Sequence, residues 1–389
     1  MTATASPPSA LAKLSARYDP DVIDIPGGRA RIRLEVRGGE TWDAELEGTE
    51  LTLREAGDEQ PDAVLSADAA TWERIARDVR GGMESFKSRR LSVRQNLHLG
   101  IGFLAATSDV ADDRRLRFDT HRTADGRIST LSAGTGDPVI CLHGLGGTKA
   151  SFLPTAAALA DSFRVIAMDF PGFGESGKPL RAAYDAPFFA DSVIGLLDEL
   201  GIDRAHLVGN SMGGRVAIEA GLRHPYRVRR LALLSPALAW LRDRRWRWLL
   251  RAPLPKLGLI QPAPRAITEP LVRNLVPGGS QGWSAAGVDE FLRSYLSPRG
   301  RVAFYEAARN IYLDEPHGEE GLWTRMKALE ADSLFVWGKH DQLVPIAFMR
   351  HVEKVLPRAK HLELNCGHVP QLEAPGRTHA AIIRHFSAS

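Results

Sequence analysis

Residues 204–220 read Arg-Ala-His-Leu-Val-Gly-Asn-Ser-Met-Gly-Gly-Arg-Val-Ala-Ile-Glu-Ala, and this stretch decides the fold. A short apolar run leads into a Gly-x-Ser-x-Gly pattern centred on Ser211, and an Ala-rich segment suited to a helix follows. This order predicts a strand, a tight turn at Ser211 and a helix. Glycine is expected at Gly209 and Gly213, because a Cβ at either position would clash in so tight a turn.

Such a turn would present the Ser211 hydroxyl at the carboxyl edge of a parallel sheet. The geometry is typical of a nucleophile elbow, in which the serine is held at strained backbone angles. Partial positive charge at the start of the next helix would help to stabilise an oxyanion there. Because glycine-rich turns also precede ordinary helices, this interpretation depends on whether the serine has partners.

The partners of a nucleophilic serine occur in the chain order nucleophile, acid, histidine. Asp341 follows a strand-like apolar run at residues 334–337, and His368 follows a second strand-like segment at residues 361–364. In a Ser-His-Asp triad the histidine takes the serine proton and the carboxylate orients the imidazole. We therefore predict a catalytic triad of Ser211, Asp341 and His368.

Other acids and bases near this edge are expected to have structural roles. Asp169 and Glu175 precede Ser211, and carboxylates in a turn-rich loop commonly bind the backbone of that loop. His143 precedes a helix instead of lying near the end of the chain. It is therefore expected to support the fold and not to act as the general base.

Residues 114–387 resemble an α/β-hydrolase-fold enzyme in the elbow, in His143–Phe152 and in Gly367–Pro375. The resemblance implies a mostly parallel, doubly wound sheet. It also implies an oxyanion hole formed by the backbone N–H groups of Leu145 and Met212. The chemistry needs no cofactor, and the sequence contains no evident metal cluster or nucleotide-binding loop.

No strand-like pattern recurs in residues 237–327, which contain helix-like pieces rich in Pro, Gly, Trp and Arg. We predict a helical cap here, inserted over the catalytic serine, where it would select the substrate. Residues 240–251 mix Trp with Arg, as segments at a membrane surface do. Their apolar residues form no clean stripe, which favours a helix that packs within the cap, and both interpretations stay open.

The first part of the chain has a different pattern. Apolar and charged residues alternate over 30–36 and 41–47, as they do in half-buried strands, and shorter strand patterns follow at 51–53 and 63–66. Helical patterns at 68–79 and 96–106 come next. We predict a meandering antiparallel sheet backed by helices, which together form a small α+β module.

This module is similar to the sterol carrier protein (type two) lipid-transfer family in its order of elements and at Pro61–Asp68 and Arg90–Leu97. The resemblance implies an apolar tunnel for a lipid or acyl chain. A packing or dimerisation module with a filled core is the alternative. The predicted domains are therefore residues 1–110, which are sterol-carrier-like, and residues 111–389, the hydrolase with its cap.

Composition is ordinary for a soluble protein, with 44% apolar and 25% charged residues. No apolar run approaches the roughly 20 residues of a membrane span, and residues 1–10 do not read as a signal peptide. We expect a cytoplasmic protein, with peripheral membrane contact left open. Two cysteines, Cys141 and Cys366, are interpreted as reduced packing residues because neither stands at an elbow.

The net charge of +3 hides one strongly basic segment. Residues 223–251 hold nine arginines and one aspartate, so the rest of the chain is net acidic. A single basic patch argues against a nucleic-acid-binding protein.

The substrate class is indicated by resemblance alone. The motifs look most like those of bacterial lipases and monoacylglycerol-lipase-type esterases, which implies an apolar small-molecule ester. The elbow, together with Trp337-Gly338, also resembles hydrolases that cleave carbon–carbon bonds in ring-fission products of aromatic catabolism. A non-catalytic lipid carrier or scaffold is a third interpretation, against which the complete triad argues. The oligomeric state is not indicated.

Overall fold

The computed structural model describes residues 6–77, 85, 88–109, 114–238, 259, 264–266, 268–270 and 282–388. Its strands form two separate sheets, one within residues 29–94 and the other within residues 117–364. Among the described residues, no helix combines the length and the apolar character that a bilayer crossing requires.

Five strands form the first sheet, in the spatial order β3-β2-β1-β4-β5. They are β1 (Arg29–Val36), β2 (Thr41–Glu47), β3 (Glu50–Glu55), β4 (Ala63–Ala67) and β5 (Ser92–Arg94). The accompanying helices are α1 (Ser9–Ser15), α2 (Ala69–Arg77), α3 (Leu97–Ala106) and a 3-10 turn at Pro20–Val22. The predicted pairing of the first three strands as antiparallel hairpins is confirmed.

The predicted antiparallel meander is wrong at its fourth strand. β4 crosses to the other edge of β1 and runs parallel to it, with Ile32 opposite Ala63. The Asp62 N–H donates to the carbonyl of Arg31, and the Arg31 N–H donates to the Asp62 carboxylate, each at 2.8 Å. These two bonds fix the register between β1 and β4 at its first pair. Alternation fixes which face of a strand is buried, but it does not fix which strand lies beside it.

Eight strands form the second sheet, in the order β13-β12-β11-β10-β8-β9-β7-β6. They are β6 (Arg117–Thr123), β7 (Gly126–Ala133), β8 (Asp137–Leu142), β9 (Phe163–Met168), β10 (Ala205–Asn210), β11 (Val228–Leu234), β12 (Asp332–Gly338) and β13 (Lys360–Leu364). Among the described strands of this sheet, the antiparallel pairs are β6 with β7 and β7 with β9. The mostly parallel sheet predicted for the α/β-hydrolase fold is confirmed, and its strand order reverses at β8, the position beside which open α/β sheets generally bind their ligands.

The helices around this sheet are α4 (Leu153–Leu159), α5 (Ala186–Glu199), α6 (Met212–Arg223), α10 (Met349–Val355), α11 (Pro370–Glu373) and α12 (Pro375–Phe386). Three-residue or four-residue 3-10 turns lie at Lys149–Phe152, Pro225–Arg227 and Ile346–Phe348. Between β11 and β12 the described part of the chain holds α7 (Gly282–Tyr295), α8 (Pro298–Tyr312) and α9 (Leu322–Met326). The Trp-rich and Arg-rich segment 240–251 lies outside the described residues.

Helix α3 lies between the two sheets, and all ten of its residues are buried. It packs on β4 and β5, where a Cβ on Gly100 would overlap the side chain of Val93. It also contacts β6 and the Pro20–Val22 turn, and there a Cβ on Gly102 would overlap Ile23. The apolar core is therefore continuous from the first sheet to the second.

Polar contacts fix the same junction. The Asp24 N–H donates to the carbonyl of Phe118 on β6 at 2.8 Å. The Arg115 guanidinium donates to the carbonyls of Ala105, Ala106 and Ser108 at the end of α3, and it pairs with Asp19 at 2.7 Å. The guanidinium thus adds to the N–H groups of Ser108 and Asp19, which already donate to the carbonyls of Ala105 and Ala106.

We expect Arg115→Ala to lower the free energy of unfolding by about 2–3 kcal/mol, because it removes three hydrogen bonds to carbonyls at the end of α3 together with the ion pair to Asp19. Arg114→Ala is the matched control, since the Arg114 side chain is 62% exposed and lies 3.5 Å from Asp161. The control should change stability by less than about 0.5 kcal/mol. Urea denaturation of the two variants measures both values, and equal losses would contradict the role given to Arg115.

Candidate active site

Ser211 occupies the turn between β10 and α6 in the conformation that the sequence predicts. Its φ of 53° and ψ of −116° lie where a residue with a side chain is strained. A Cβ on Gly213 would overlap the carbonyl of Leu142, and one on Gly209 would overlap the carbonyl of Gly213. The expected need for glycine at both positions is confirmed.

The loop after β8 lies directly against the serine. A Cβ on Gly144 would be 3.3 Å from the Cβ of Ser211. Leu145 follows Gly144, and Met212 is the first residue of α6. Among the described residues, no acceptor is bound by the backbone N–H of either Leu145 or Met212. Both groups are therefore available to an oxyanion, and their role there stays a prediction.

Asp341 and His368, which lie in the loops after β12 and β13, are brought together. The Nδ1 of His368 lies 2.8 Å from Oδ2 of Asp341, whose side chain is fully buried. The other carboxylate oxygen accepts the N–H groups of Leu343 and Val344 at 2.8 and 2.9 Å. Burial alone would raise the pKa of Asp341, but the bond to His368 and these N–H groups hold it below its ordinary value.

An ionised Asp341 accepts a hydrogen bond from the Nδ1–H of His368 and so fixes the tautomer of the imidazole. Its Nε2 is then left as the basic atom, which a proton-accepting histidine requires. The loop that carries the imidazole is itself held by Glu373. The Glu373 carboxylate accepts the N–H groups of Gly367 and Val369, on either side of His368, at 2.7 and 2.8 Å.

Asn210 joins the histidine loop to the elbow. Its side-chain amide donates to the carbonyls of His368 and Leu234, each at 3.0 Å. Sequence reasoning did not assign roles to Asn210 or Glu373, although both stand inside the motifs used. Their signal was the amide next to the nucleophile and the acid five residues after the histidine.

His143 is fully buried and binds only backbone groups among the described residues. Its Nδ1 lies 2.8 Å from the Gly144 carbonyl, and its Nε2 accepts the N–H of Phe170 at 3.0 Å. Burial first, and the nearby Lys149 as well, lower the pKa of His143. Its imidazole is therefore held neutral, as the predicted structural role requires.

Asp169 also supports the fold, as predicted. Its buried carboxylate accepts the ammonium of Lys149 at 2.6 Å, the Lys149 N–H at 2.7 Å and the Glu175 N–H at 2.9 Å. Burial would raise its pKa, but the charge of Lys149 holds the pKa of Asp169 far below its usual range. The Glu175 side chain pairs with Arg293 of α7. Both acids are therefore bound by structural partners.

Cys141 and Cys366 are free and buried, which confirms the prediction that they are packing residues. Burial raises the pKa of both thiols, that of Cys366 to about 11. Within the described part of the chain, no group of three or more His, Cys, Asp or Glu side chains is arranged to hold a metal ion.

Comparisons with known proteins match both parts of the chain. Residues 137–375 match the family described as "alpha/beta hydrolase fold". Residues 9–103 match the SCP-2 sterol transfer family. The two matches fall on the two sheets and do not overlap.

Individual relatives differ in chemistry. A 2-hydroxymuconate semialdehyde hydrolase from Pseudomonas sp. (strain CF600) is 30% identical over 272 residues, which cover 67% of this chain and 90% of that protein. A bacterial membrane phospholipase A is 26% identical with a TM-score of 0.56, over 70% of this chain and 86% of that one. A meta-cleavage product hydrolase from Pseudomonas fluorescens IP01 has the same identity of 26% and TM-score of 0.56, over 69% and 97%.

We expect Lys149→Met to lower the free energy of unfolding by about 3–5 kcal/mol at neutral pH, because it leaves the Asp169 carboxylate buried without its cation. Lys339→Met is the control, since the Lys339 side chain is half exposed and its ammonium lies 3.4 Å from Glu363. That change should cost at most about 1 kcal/mol.

Acidification should change the stability contributed by Asp169 in opposite directions in the wild type and in Lys149→Met. In the wild type the pKa of Asp169 is lowered, so its contribution is present above the pKa of an unfolded aspartate and is lost as the pH falls. Without Lys149, burial would raise that pKa, and this part of the stability would increase as the carboxyl takes up a proton. Parallel pH profiles of the two proteins would contradict the pairing.

Proposed function

The chain belongs to the α/β-hydrolase family and carries an SCP-2 sterol transfer domain at its N-terminal end, and on this premise we propose that it is a serine hydrolase of apolar carboxylic esters. We propose Ser211, His368 and Asp341 as its catalytic triad. We also propose the division that the sequence predicts: residues 1–110, and residues 111–389 with a cap at about 237–327.

In the proposed reaction, Nε2 of His368 takes the proton of Ser211 as its oxygen attacks the acyl carbon. Asp341 stabilises the imidazolium that forms. The N–H groups of Leu145 and Met212 bind the oxyanion. The imidazolium then gives its proton to the departing alcohol, and water releases the acyl group by the same steps in reverse.

One observation carries this proposal. A bond of 2.8 Å joins Asp341 to His368, and Asn210 ties the loop of His368 directly to the elbow. A strained serine, a histidine oriented by a buried carboxylate and two available N–H groups are the parts that acyl transfer needs. Other uses of a buried Asp-His pair would not require strained angles at Ser211.

The preference for an apolar ester is supported by two comparisons. The chain is 26% identical to a phospholipase A, an enzyme whose name denotes a lipid ester substrate. The SCP-2 match supports an apolar ligand for the N-terminal domain. A cap over the serine would then provide the apolar contacts that select the acyl chain.

Carbon–carbon bond hydrolysis is the second candidate, and the named relatives favour it. One relative is named a 2-hydroxymuconate semialdehyde hydrolase and the other a meta-cleavage product hydrolase, and neither name denotes an ester substrate. The same triad could serve that reaction, since a ketone carbonyl would also develop an oxyanion. What differs is the bond that breaks and the groups that hold the substrate.

We expect Ser211→Ala and His368→Ala to lower kcat by about 10⁴-fold or more, and Asp341→Asn to lower it by a similar order. The wild type, but not Ser211→Ala, should be labelled by a fluorophosphonate. Ser192→Ala and His224→Ala are controls, because these residues hydrogen-bond Asp125 and Asp191, neither of which belongs to the proposed triad. Activity within tenfold of wild type in the Ser211 and His368 variants would refute the triad.

A substrate panel separates the two chemistries. We expect kcat/KM on p-nitrophenyl esters to rise with acyl chain length and to exceed that on a 2-hydroxy-6-oxo-dienoate, because the proposed substrate is an apolar ester. Steady-state rates with Ser211→Ala as the blank give the comparison. Faster turnover of the dienoate would replace the ester proposal with the second candidate.

The N-terminal domain is proposed to bind a lipid or acyl chain. We expect full-length Ser211→Ala protein to bind a dansyl-labelled fatty acid. Binding should increase the dansyl fluorescence, and unlabelled fatty acid should reverse the increase. A Cβ on Gly100 would overlap Val93, so α3 and the sheet are in close contact at that point. Absence of saturable binding would leave the domain with a packing role, which is the alternative that the sequence left open.

A further inference from the structure

Helix α7 carries two adjacent carboxylates that the proposed reaction does not use. Asp289 and Glu290 are only 3% and 4% exposed. A buried carboxylate is costly unless charged or hydrogen-bonding partners surround it. The partners of these two acids therefore indicate what holds α7 in place.

Both acids bind the N-terminal part of the chain. Asp289 accepts Nε of Arg94 at 2.6 Å and the Gln95 N–H at 3.0 Å, and Arg265 lies on its other oxygen at 2.5 Å. Glu290 accepts the N–H of Leu97, the first residue of α3, at 2.6 Å. The open N–H groups at a helix start favour a negative charge. Burial would raise the pKa of Asp289, but Arg94 and Gln95 hold it below its ordinary value.

The second oxygen of Glu290 faces the catalytic half of the molecule. It accepts the Thr148 hydroxyl at 3.2 Å and the Arg293 guanidinium at 2.8 Å. Thr148 is buried at the end of the loop His143–Thr148, here called the oxyanion loop, which carries Leu145. One carboxylate thus bonds both the start of α3 and the oxyanion loop.

Neighbouring side chains of α7 press on the same region. Gly146 has a φ of +73°, and a Cβ there would overlap the ring of Phe291. Arg293 pairs with Glu175 in the loop after β9, whose N–H is bound by Asp169. The oxyanion loop is therefore covered by α7, and α7 is held by α3.

We propose that α7 couples the N-terminal domain to the oxyanion loop, with Glu290 and Thr148 as positioning residues that set the place of the Leu145 N–H. The catalytic consequence rests on the proposed function. Docking of the N-terminal domain then supports kcat and not ground-state substrate binding, since an oxyanion donor acts when charge develops on the substrate.

Two arginines of the N-terminal domain provide a matched test. Arg94 pairs with Asp289 of α7, whereas Arg33 pairs with buried Asp43 of its own sheet at 2.8 Å. We expect Arg94→Met to speed hydrogen exchange of the peptide 143–152 and to lower kcat, each about tenfold, with KM unchanged. Arg33→Met should leave both at wild-type values. Equal effects of the two variants, or none from Arg94→Met, would overturn the coupling.

Thr148 tests the last link with a pair of similar shape. Thr148→Val removes the hydroxyl and should lower kcat and the affinity for a trifluoromethyl ketone in parallel, while Thr148→Ser restores both. A purely structural role would lower the melting temperature of Thr148→Val without changing either quantity. Such a result would remove Thr148 from the coupling.

The exchange measurement needs no turnover, so the two proposals fail separately. If the wild-type protein showed no hydrolysis that depends on Ser211, the proposed function would be wrong. Faster exchange of peptide 143–152 in Arg94→Met, but not in Arg33→Met, would still support the link through α7. Normal hydrolysis with unchanged exchange would reject the link and keep the enzyme.

Discussion

Contact between backbones at the turn after β10 is the constraint on which the proposed site depends. Gly213 meets the carbonyl of Leu142 at the end of β8, and Gly209 meets the carbonyl of Gly213. Any side chain at these points would push α6 away from the sheet. Because the contact is so close, Ser211, the loop after β8 and the Asn210 amide all converge on a small volume. Strain at Ser211 is sustained because rigid strands on both sides leave the turn no alternative.

Around that turn, charge is arranged so that Asp341, His143 and Asp169 each keep one protonation state. Asp341 is ionised and holds His368, while His143 is kept neutral between two backbone groups. Asp169 stays ionised because Lys149 is buried beside it. The acids and histidines at this edge of the sheet are thereby separated into those that orient the imidazole and those that build loops, although their residue types are the same.

Much of the fold and of the candidate site could be predicted from the sequence, because strands, helix starts and the elbow are local patterns. The alternation in β1 and β2, the helix start at Asn96 and the turn at Ser211 depend only on near neighbours in the chain. The parallel pairing of β4 with β1 could not be predicted, since period-two alternation is the same for either neighbour. The contacts of Glu290 could not be predicted from the sequence either. Nothing near residue 290 indicates that its partner is a backbone N–H at residue 97.

The complete burial of α3 has a consequence for how the protein is made. During synthesis the N-terminal end leaves the ribosome first, so α3 emerges from the ribosome before β6 does. One of its faces can then pack on β4 and β5, but the face that meets Phe118 has nothing to cover it. Until the first hairpin of the second sheet emerges, the nascent chain displays an apolar surface. That interval is where a chaperone would bind and where pausing of translation would favour aggregation.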